Sequence, residues 1–567
     1  MNDPANVTWP HRYTWLLIFV LAFALRAWHI NADLPNLYLA DEPHHLNIAA
    51  HFGTGDLNPH DFKYPTLWSY VLACLLGLLY VLEKCLGHIS NTADFASFFF
   101  YSPTVFYWSA RLVAAGFYSM GAAVLYQTGK RYFQTPMGWI MAGFLALSPS
   151  FYSFGRDATL NGIMVFFVCC AIYELSSLQR NGRLHDYVLS GLFLGLAISS
   201  HYIAAPLPLL LIEFHFLLER EKRRNKNLVL GLTAVAVGFL LGSPYFLLDW
   251  RKALSDLFSM GQLHLPVVGQ LQHNELARRS HEAITQLLPL GKNLVYFLDG
   301  WGIGFILACV GIAIRKTAKN HWTLAAWTLP ALITSVMFTK TYHGIYPRYS
   351  LAVFIPLIVP ASVGLNAIAT YLRRFGIPHI ALPGTIFILF SWQTIAYTKE
   401  QSLPDTRTLA KTWVLEHVPQ GSKILLMDPF NCPQLRMTAS QVERLRERTH
   451  RLHHQRWQYY NALAHNHPGG GYEIYYWQRD LVQVEDTAER TQQAYLAQDV
   501  IDLNAEGIEA LRKAKIQMVI LRIDPNMRPP WLDEIENRFK LQASFEPNAQ
   551  HAKGPILRIY TSPDYHA

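Results

Sequence analysis

The sequence predicts a mainly α-helical protein, a polytopic transmembrane helical bundle over residues 1–400 followed by a soluble α/β domain over residues 401–567. Two observations support this prediction. Of the 567 residues, 51% are hydrophobic and only 16% are charged, whereas a soluble domain carries roughly 25% charged residues. Apolar runs near the roughly 20 residues that cross a hydrocarbon core recur from Trp15 to about Tyr397, and none follows.

The placement of charge favours a membrane protein over a nucleic-acid-binding one, although the net charge is +8. Every second short loop between the apolar runs is basic, as the positive-inside rule requires when the N-terminus is inside. These loops contain Lys130-Arg131, Arg180 with Arg183, residues 220–224, Arg315-Lys316 with Lys319, and Arg373-Arg374. The pattern predicts an integral protein of the inner or plasma membrane and no nucleic-acid partner.

Assigning the apolar runs as crossings with the N-terminus inside gives about eleven of them. Because this number is odd, the soluble tail is predicted to lie outside the cytoplasm. The crossings are placed at residues 13–30, 106–127, 137–153, 160–178, 187–200, 203–218, 228–247, 294–314, 322–338, 350–371 and 379–398. Residues 65–86 are long enough to cross, but counting them would move the later basic loops to the outer face. We therefore expect this run to lie along the outer leaflet, within an outer loop that covers residues 31–105.

Unusual ionisable residues gather at the outer ends of the predicted crossings. They are Asp41, Glu42, Lys63, Arg156, His201, His343, Arg348 and Tyr349. Charges near membrane depth are costly unless they pair or line a wet cavity, so their convergence predicts a site. Lysine and arginine with tyrosine and histidine donors suit a phosphate, and a nearby carboxylate suits proton removal from a nucleophile.

Each of these residues also has a structural interpretation. The two carboxylates suit solvated loop charges or a helix N-cap, Arg348 suits an interfacial anchor, and His201 suits a satisfied interior histidine. His44, His45 and His51 match no standard metal motif, so the sequence predicts no metal site and leaves a divalent metal requirement open.

Four stretches resemble the membrane-embedded C-type glycosyltransferases of the protein O-mannosyltransferase superfamily, which includes the lipid A aminoarabinose transferase. They are YLADEPHHLN with GDLNPHDFKYP, SARLVAAGFYSMGAAVLYQTGKRYF, FGRDATLNGIMVFFVCC and YPRYSLAVFIPLIVP. The resemblance covers residues 10–400 and implies a helical bundle with membrane-parallel helices in the first outer loop. It implies Asp41 as catalytic base, Glu42 as its neighbour, and Lys63, Arg156 and Arg348 as donor or phosphate contacts.

Two positions depart from that pattern. Relatives often carry aspartate where this chain has Asn161, and lysine where it has His201. An asparagine cannot act as a base, and a histidine offers a hydrogen bond to phosphate but a positive charge only when protonated.

The tail alternates helix and strand. A helix capped by Asp405 or Thr406 is predicted to run to His417, followed by the strand SKILLMD. A second helix–strand pair covers NAEGIEALRKAKIQMVILRI, and GPILRIYTS is a final strand. The basic, histidine-rich stretch between them suits an acceptor site, or simply a helix with a glycine-rich loop, and the second interpretation is favoured.

The first functional hypothesis is an inverting glycosyltransferase whose donor is a polyprenyl-phosphate-linked sugar. Its other expected partners are membrane lipids. A glycan, a lipid or a protein could each be the acceptor. The alternatives are a transporter or flippase for lipid-linked glycans, which should show charged residues near span centres and repeat symmetry, and a non-catalytic scaffold of the cell envelope.

Overall fold

The computed structural model describes residues 13–133, 135–264, 302–313, 318–328, 351–352, 354–427, 429–477, 497–524, 529–548 and 550–563. The chain divides into two compact units. Unit 1 comprises residues 1–30, 45–74 and 109–398, and unit 2 comprises residues 31–44, 75–108 and 399–567. The predicted outer loop therefore contributes residues to both units.

Helices follow one another through the described part of the first 400 residues, which confirms the mainly helical prediction. They are α1 (Thr14–Ala27), α2 (Asp41–His51), α3 (Leu67–Cys85), α4 (Thr92–Tyr101), α5 (Thr104–Thr128), α6 (Thr135–Leu147), α7 (Pro149–Ser153), α8 (Asn161–Asn181), α9 (Leu184–Ser200), α10 (Leu209–Leu217), α11 (Asn225–Gly242), α12 (Tyr245–Leu248), α13 (Trp250–His264), α14 (Gly302–Ala313), α15 (Ala318–Ala326), α16 (Ile358–Leu372) and α17 (Ala381–Gln401).

Among the described helices, α3, α8 and α11 are long and apolar enough to cross a membrane. Helix α8 contains the predicted crossing at residues 160–178 almost completely, and α5 contains the one at residues 106–127. Helix α3 coincides with the run that was predicted to lie along the leaflet. Its orientation to the bilayer, the number of crossings and their direction stay predictions.

Glycines let two helices of unit 1 approach until their backbones touch. A Cβ atom at Gly191 or Gly195 of α9 would lie 2.0 Å from the carbonyl oxygen of Gly231 or 2.1 Å from that of Val235, both on α11. On α11, a Cβ at Gly238 would lie 2.4 Å from the carbonyl oxygen of Leu192. Small residues where two helices cross let the backbones contact each other directly, without intervening side chains. Such contacts are typical of membrane helices. We call this contact the glycine seam.

The C-terminal part of unit 2 is an α/β domain. Its helices are α18 (Thr406–His417), α19 (Ala439–Arg451), α20 (Trp457–His465), α21 (Leu503–Glu506), α22 (Glu509–Ala514) and α23 (Pro530–Arg538). Its strands are β1 (Lys423–Leu426), β2 (Glu473–Trp477), β3 (Val500–Ile501), β4 (Met518–Ile523), β5 (Lys540–Phe545) and β6 (Ile556–Thr561). The predicted N-cap is confirmed, since the Asp405 side chain accepts the backbone N–H of Arg407 at 2.9 Å.

The six strands form one sheet in the order β3-β2-β1-β4-β6-β5. Strand β1 is parallel to both β2 and β4, whereas β6 is antiparallel to β4 and β5. The central strands β1 and β4 contain the apolar runs ILL and MVIL. Both faces of a parallel sheet are covered, so its strands are apolar almost throughout and do not alternate between apolar and polar residues. Ile424 and Val519 accordingly have no exposed surface.

An ion-pair cluster ties α19 to the edge of this sheet. The Arg444 guanidinium donates to Glu473 at 2.9 Å and to Asp499 at 2.8 Å, and Gln441 donates to Asp499 at 3.0 Å. Burial alone would raise the pKa of Asp499, but the bonds from Arg444 and Gln441 outweigh it and hold this pKa below its usual value. The same balance between burial and hydrogen bonds from Thr438 and Arg444 lowers the pKa of Glu473.

Candidate active site

The two predicted catalytic carboxylates begin helix α2. Asp41 and Glu42 lie in its first turn, where the helix dipole stabilises negative charge. Glu42 is completely buried, whereas Asp41 keeps part of its surface exposed. Of the two, Asp41 is therefore the carboxylate that an incoming molecule can reach.

The turn that carries Lys63 is held by a hydrogen bond within the turn and by hydrogen bonds to two elements of unit 1, α13 and the C-terminal end of α11. The N–H of Lys63 donates to Asp61 at 3.0 Å, and that of Phe62 donates to Asp256 of α13 at 3.1 Å. Thr66 donates through its N–H to Ser243 at 3.2 Å and through its hydroxyl to the carbonyl oxygen of Gly242 at 2.9 Å. The backbone around Lys63 is thus fixed. The half-buried ammonium of Lys63 forms no hydrogen bond or ion pair with the described residues.

Tyr64 brings two histidines to the Lys63 turn. Its ring packs edge-on against His45 of α2 with centroids 5.1 Å apart, and against His201 with centroids 6.1 Å apart. His201 follows the last residue of α9 and is only 7% exposed. The sequence-predicted Lys63 and His201 therefore belong to one cluster, joined through a tyrosine ring.

Arg156 lies in the loop before α8 and is 6% exposed. Its Nη2 donates to the carbonyl oxygen of Trp28 at 2.6 Å, and its guanidinium lies 5.4 Å from the centroid of the Tyr152 ring. Its buried Nε makes no hydrogen bond within the described part of the chain. The loop is tied to the start of α3, because the Trp68 indole donates to the carbonyl oxygen of Ala158 at 3.1 Å.

Unit 1 therefore joins the loops of Lys63, Arg156 and His201 through Tyr64 and Trp68. Asp41 and Glu42 belong by contact to unit 2. The remaining predicted residues, His343, Arg348 and Tyr349, lie outside the residues that the structure describes.

Sequence reasoning missed two buried charged groups, of which Asp256 supports this cluster. Arg26 is completely buried in α1 and donates to the carbonyl oxygens of Leu145 and Ala146 at the end of α6, at 3.0 and 3.4 Å. Asp256 is 1% exposed and accepts from Lys252 one turn earlier on α13 as well as from Phe62. An arginine inside an apolar run was the signal for the first, and an i,i+4 Lys–Asp pair was the signal for the second.

Two described groups of side chains could hold a metal ion. The ligand atoms of His51, Asp56 and His60 lie within 4.8 Å of one another, as do those of Glu174, His185 and Asp186. In the first group the hydrogen bond from His60 is the largest cause that lowers the pKa of Asp56. In the second group Asp186 already accepts from Ser177 at 2.9 Å and from the N–H of Arg183 at 3.2 Å.

The arrangement suits an anion held by nitrogen donors. Lys63 and Arg156 each have donor capacity that no described residue uses, and His201 and Tyr64 lie on the same cluster. Arginine binds a phosphate in a planar, directional way, and lysine binds it as a point charge. A carboxylate such as Asp41 could take a proton from a hydroxyl or amine.

Comparison with known proteins gives a family for part of the chain. Residues 96–247 match the family described as dolichyl-phosphate-mannose-protein mannosyltransferase. No curated protein sequence is similar enough to match.

Solved structures extend the likeness over the whole fold. ArnT from Cupriavidus metallidurans bound to undecaprenyl phosphate matches with a TM-score of 0.55 and 13% identity, covering 96% of this chain and 98% of that one. Its apo state matches with a TM-score of 0.54 and 14% identity, covering 97% and 98%. The oligosaccharyltransferase of Archaeoglobus fulgidus gives a TM-score of 0.46, which is too low to bear on the fold. The matching family agrees with the predicted superfamily and enzyme class over residues 96–247, and ArnT shares the fold.

Proposed function

We propose that this chain, a membrane-embedded glycosyltransferase of the C type related to the protein O-mannosyltransferases, transfers a sugar from a polyprenyl-phosphate-linked donor to an acceptor at the outer face of the membrane. Asp41 is the general base, and Lys63, Arg156 and His201 hold the donor phosphate. His343, Arg348 and Tyr349 complete the donor site in this proposal, and Glu42 supports Asp41 from its buried position.

The reaction is a single displacement at the anomeric carbon. Asp41 takes the proton from the acceptor hydroxyl or amine while the acceptor atom forms its bond to that carbon. The bond between the carbon and the phosphate oxygen breaks, and the electron pair leaves with the polyprenyl phosphate. Lys63 and Arg156 stabilise the charge that develops on this leaving group, so they act more strongly in the transition state than on the bound donor.

One observation carries the proposal. Lys63 and Arg156 have N–H donors that no described residue accepts, and Tyr64 and Trp68 tie their loops into one cluster of unit 1. Cationic groups that are buried or half-buried in a membrane protein are costly unless they are paired, so these unused donors favour an anionic ligand. ArnT from Cupriavidus metallidurans, which shares the fold, has been solved with undecaprenyl phosphate, a ligand with the same chemical group.

A radiolabelled donor tests the assignment of the base. Membranes containing the protein are supplied with polyprenyl-phosphate-linked hexoses and pentoses, and release of polyprenyl phosphate is measured together with label in the acceptor fraction. Asp41→Asn is expected to lower transfer by about 100-fold or more, since general base catalysis contributes about 10² to 10⁴ in rate.

Glu221→Gln is the matched control, because it removes an exposed carboxylate from the loop between α10 and α11, away from the candidate site residues. It should leave transfer within about twofold of the parent, as surface ion pairs contribute little. Undiminished transfer by Asp41→Asn, at equal protein abundance, would remove Asp41 from the role of base. The two alternative functions, transport and scaffolding, predict no release of polyprenyl phosphate by any variant.

A further inference from the structure

The segment that leads to Asp41 is bound by the C-terminal α/β domain. This segment, residues 31–44, belongs to the same unit as residues 399–567 and is called the acid segment below. At its beginning, the Lys553 ammonium donates to Asp33 at 2.7 Å, and both side chains are largely buried. A contact between positions 520 residues apart makes the C-terminal domain a direct support of the acid segment.

Gln434 binds the backbone of the acid segment four residues before Asp41. Its Oε1 accepts the N–H of Leu37 at 2.8 Å, and its Nε2 donates to the carbonyl oxygen of Leu37 at 2.7 Å. One amide group thus satisfies both main-chain groups of one residue, as a neighbouring β-strand would. Such a pair of bonds fixes the backbone of Leu37 whatever its side chain does.

The next residue, Tyr38, is held by a hydrogen bond at its hydroxyl and by a guanidinium packed on its ring. The Tyr38 hydroxyl shares a hydrogen bond of 2.9 Å with Thr408 of α18, and the Arg407 guanidinium lies 3.8 Å above the centre of its ring. Arg407 is itself oriented by two bonds to Asp405, at 2.8 and 2.7 Å. Burial raises the pKa of Tyr38, so the phenol stays neutral and keeps its proton for this bond.

Asn36 adds a fourth attachment. Its Nδ2 donates to Thr408 at 3.3 Å, and its Oδ1 accepts from the Lys411 ammonium at 2.7 Å. Three consecutive residues, Asn36 to Tyr38, are therefore bonded to α18 or to the loop that contains Gln434.

The same domain holds a second part of the predicted outer loop. Helix α4 is bonded to α20 and the loop after it, since the Tyr101 hydroxyl donates to the carbonyl oxygen of Leu463 at 2.8 Å. His465 forms a 2.9 Å bond with Asp94, and this bond is the main reason why the pKa of Asp94 lies below its usual value. Within the described residues of unit 2, the domain thus contacts the outer loop at two separate segments.

We infer that the C-terminal domain positions the general base, with Gln434 as the positioning residue that sets the backbone leading to Asp41. This inference rests on the proposed role of Asp41. Each extended residue spans at most about 3.6 Å, so the Leu37 anchor lies within about 14 Å of Asp41 along the chain. A catalytic group must be held to about 0.5 Å, and a loop without such an anchor cannot meet that tolerance.

The test uses the full-length protein in lipid nanodiscs with an undecaprenyl-phosphate-linked sugar that the parent protein transfers. Gln434→Ala removes both bonds to Leu37, and Gln434→Glu keeps the acceptor while losing the donor. Gln542→Ala is the matched control, because Gln542 lies in the same domain and, among the described residues, donates only to Thr561, at 2.8 Å. The readouts are kcat, donor KM, and hydrogen exchange of peptides from residues 31–44 and 518–523.

Gln434→Ala is expected to lower kcat by about 10- to 100-fold, the loss that a displacement of about 1 Å causes, while donor KM changes less than threefold. Exchange in residues 31–44 should accelerate and exchange in β4 should stay unchanged. Gln434→Glu should give an intermediate kcat, and it replaces the alanine variant if that one does not fold. Gln542→Ala should match the parent.

An unchanged kcat in Gln434→Ala overturns the inference, and so does an equal loss in Gln542→Ala, which would indicate general loosening of the domain. Failure of the proposed function has a different result. If Asp41→Asn transfers sugar normally, the base assignment falls, whatever Gln434→Ala does. If Asp41→Asn is inactive and Gln434→Ala is fully active, only the positioning role falls.

Discussion

Gly195→Ala tests whether the glycine seam between α9 and α11 sets the geometry of the candidate site. The added Cβ would lie 2.1 Å from the carbonyl oxygen of Val235 and 2.7 Å from the backbone nitrogen of Phe239. Ordinary contacts begin at 3.4 Å, so the two helices must separate by about 1.3 Å. Both obstructing atoms belong to the backbone, and no side-chain rotation can relieve the overlap.

The expected loss follows from that overlap. Overpacking typically costs about 1 to 3 kcal/mol, and the rigid backbone on α11 places this substitution at about 3 kcal/mol. The seam ends beside the Lys63 turn, where Ser199 and Ser243 share a 2.9 Å bond and Thr66 donates to Gly242. Separation of the helices should therefore also displace Lys63 and lower transfer on the order of tenfold.

Thermal unfolding in detergent, followed by intrinsic tryptophan fluorescence, measures the effect. Gly195→Ala should lower Tm by about 6 °C, since 1 kcal/mol shifts Tm by about 2 °C in large domains. Gly384→Ala in α17 is the matched control, because no described atom lies within 4 Å of its Cβ. It should raise stability slightly, by about 0.5 to 1 kcal/mol, through its helix propensity. Equal Tm values for the two variants would refute the close approach of α9 and α11.

Two further predictions concern charged groups. Arg156→Lys should raise donor KM by about tenfold and Arg156→Ala by about 10- to 100-fold, because a charge-assisted hydrogen bond contributes about 1.5 to 3 kcal/mol. An unchanged donor KM in both variants would exclude a contact between Arg156 and the donor. Asp499 and Glu473 have pKa values below those of the unfolded chain, so their stabilisation is present above about pH 4 and is lost as the pH falls further. The protection factors of amide hydrogens in α19, measured relative to an unfolded chain at the same pH, should fall on acidification below that pH. Asp499→Asn should flatten this pH dependence. An identical pH response in the parent and the variant would contradict the assignment.

Local features of the fold could be predicted from the sequence because they depend on neighbouring residues. The N-cap at Asp405, the helix that follows it to His417 and strand β1 all lie where their patterns placed them. The glycine-rich stretch before β2 is a loop in which Gly469, Gly470 and Gly471 all have positive φ. Each of these depends on capping, periodicity or backbone freedom within a few residues.

Long-range contacts could not be predicted in that way. Arg26 was hidden inside an apolar run, and its partners at the end of α6 lie about 120 residues away. The bond between Asp33 and Lys553 joins two ordinary loop charges that carry no periodic signal. Only folding shows which of many exposed lysines and aspartates meet, since each alone is compatible with a solvated surface.

The candidate site illustrates how both kinds of information are needed. Residue type alone placed Lys63, Arg156 and His201 among the binding candidates, but the sequence could not show what fixes them. The structure adds the anchors: Asp256 and Ser243 for the Lys63 turn, and Trp68 for the Arg156 loop. Because these anchors bond to backbone atoms, the Lys63 ammonium and the Nε of Arg156 have no partner among the described residues, although Nη2 of Arg156 donates to Trp28. A protein that needed these charges only for stability would be expected to use those donors internally, since buried unpaired donors are costly.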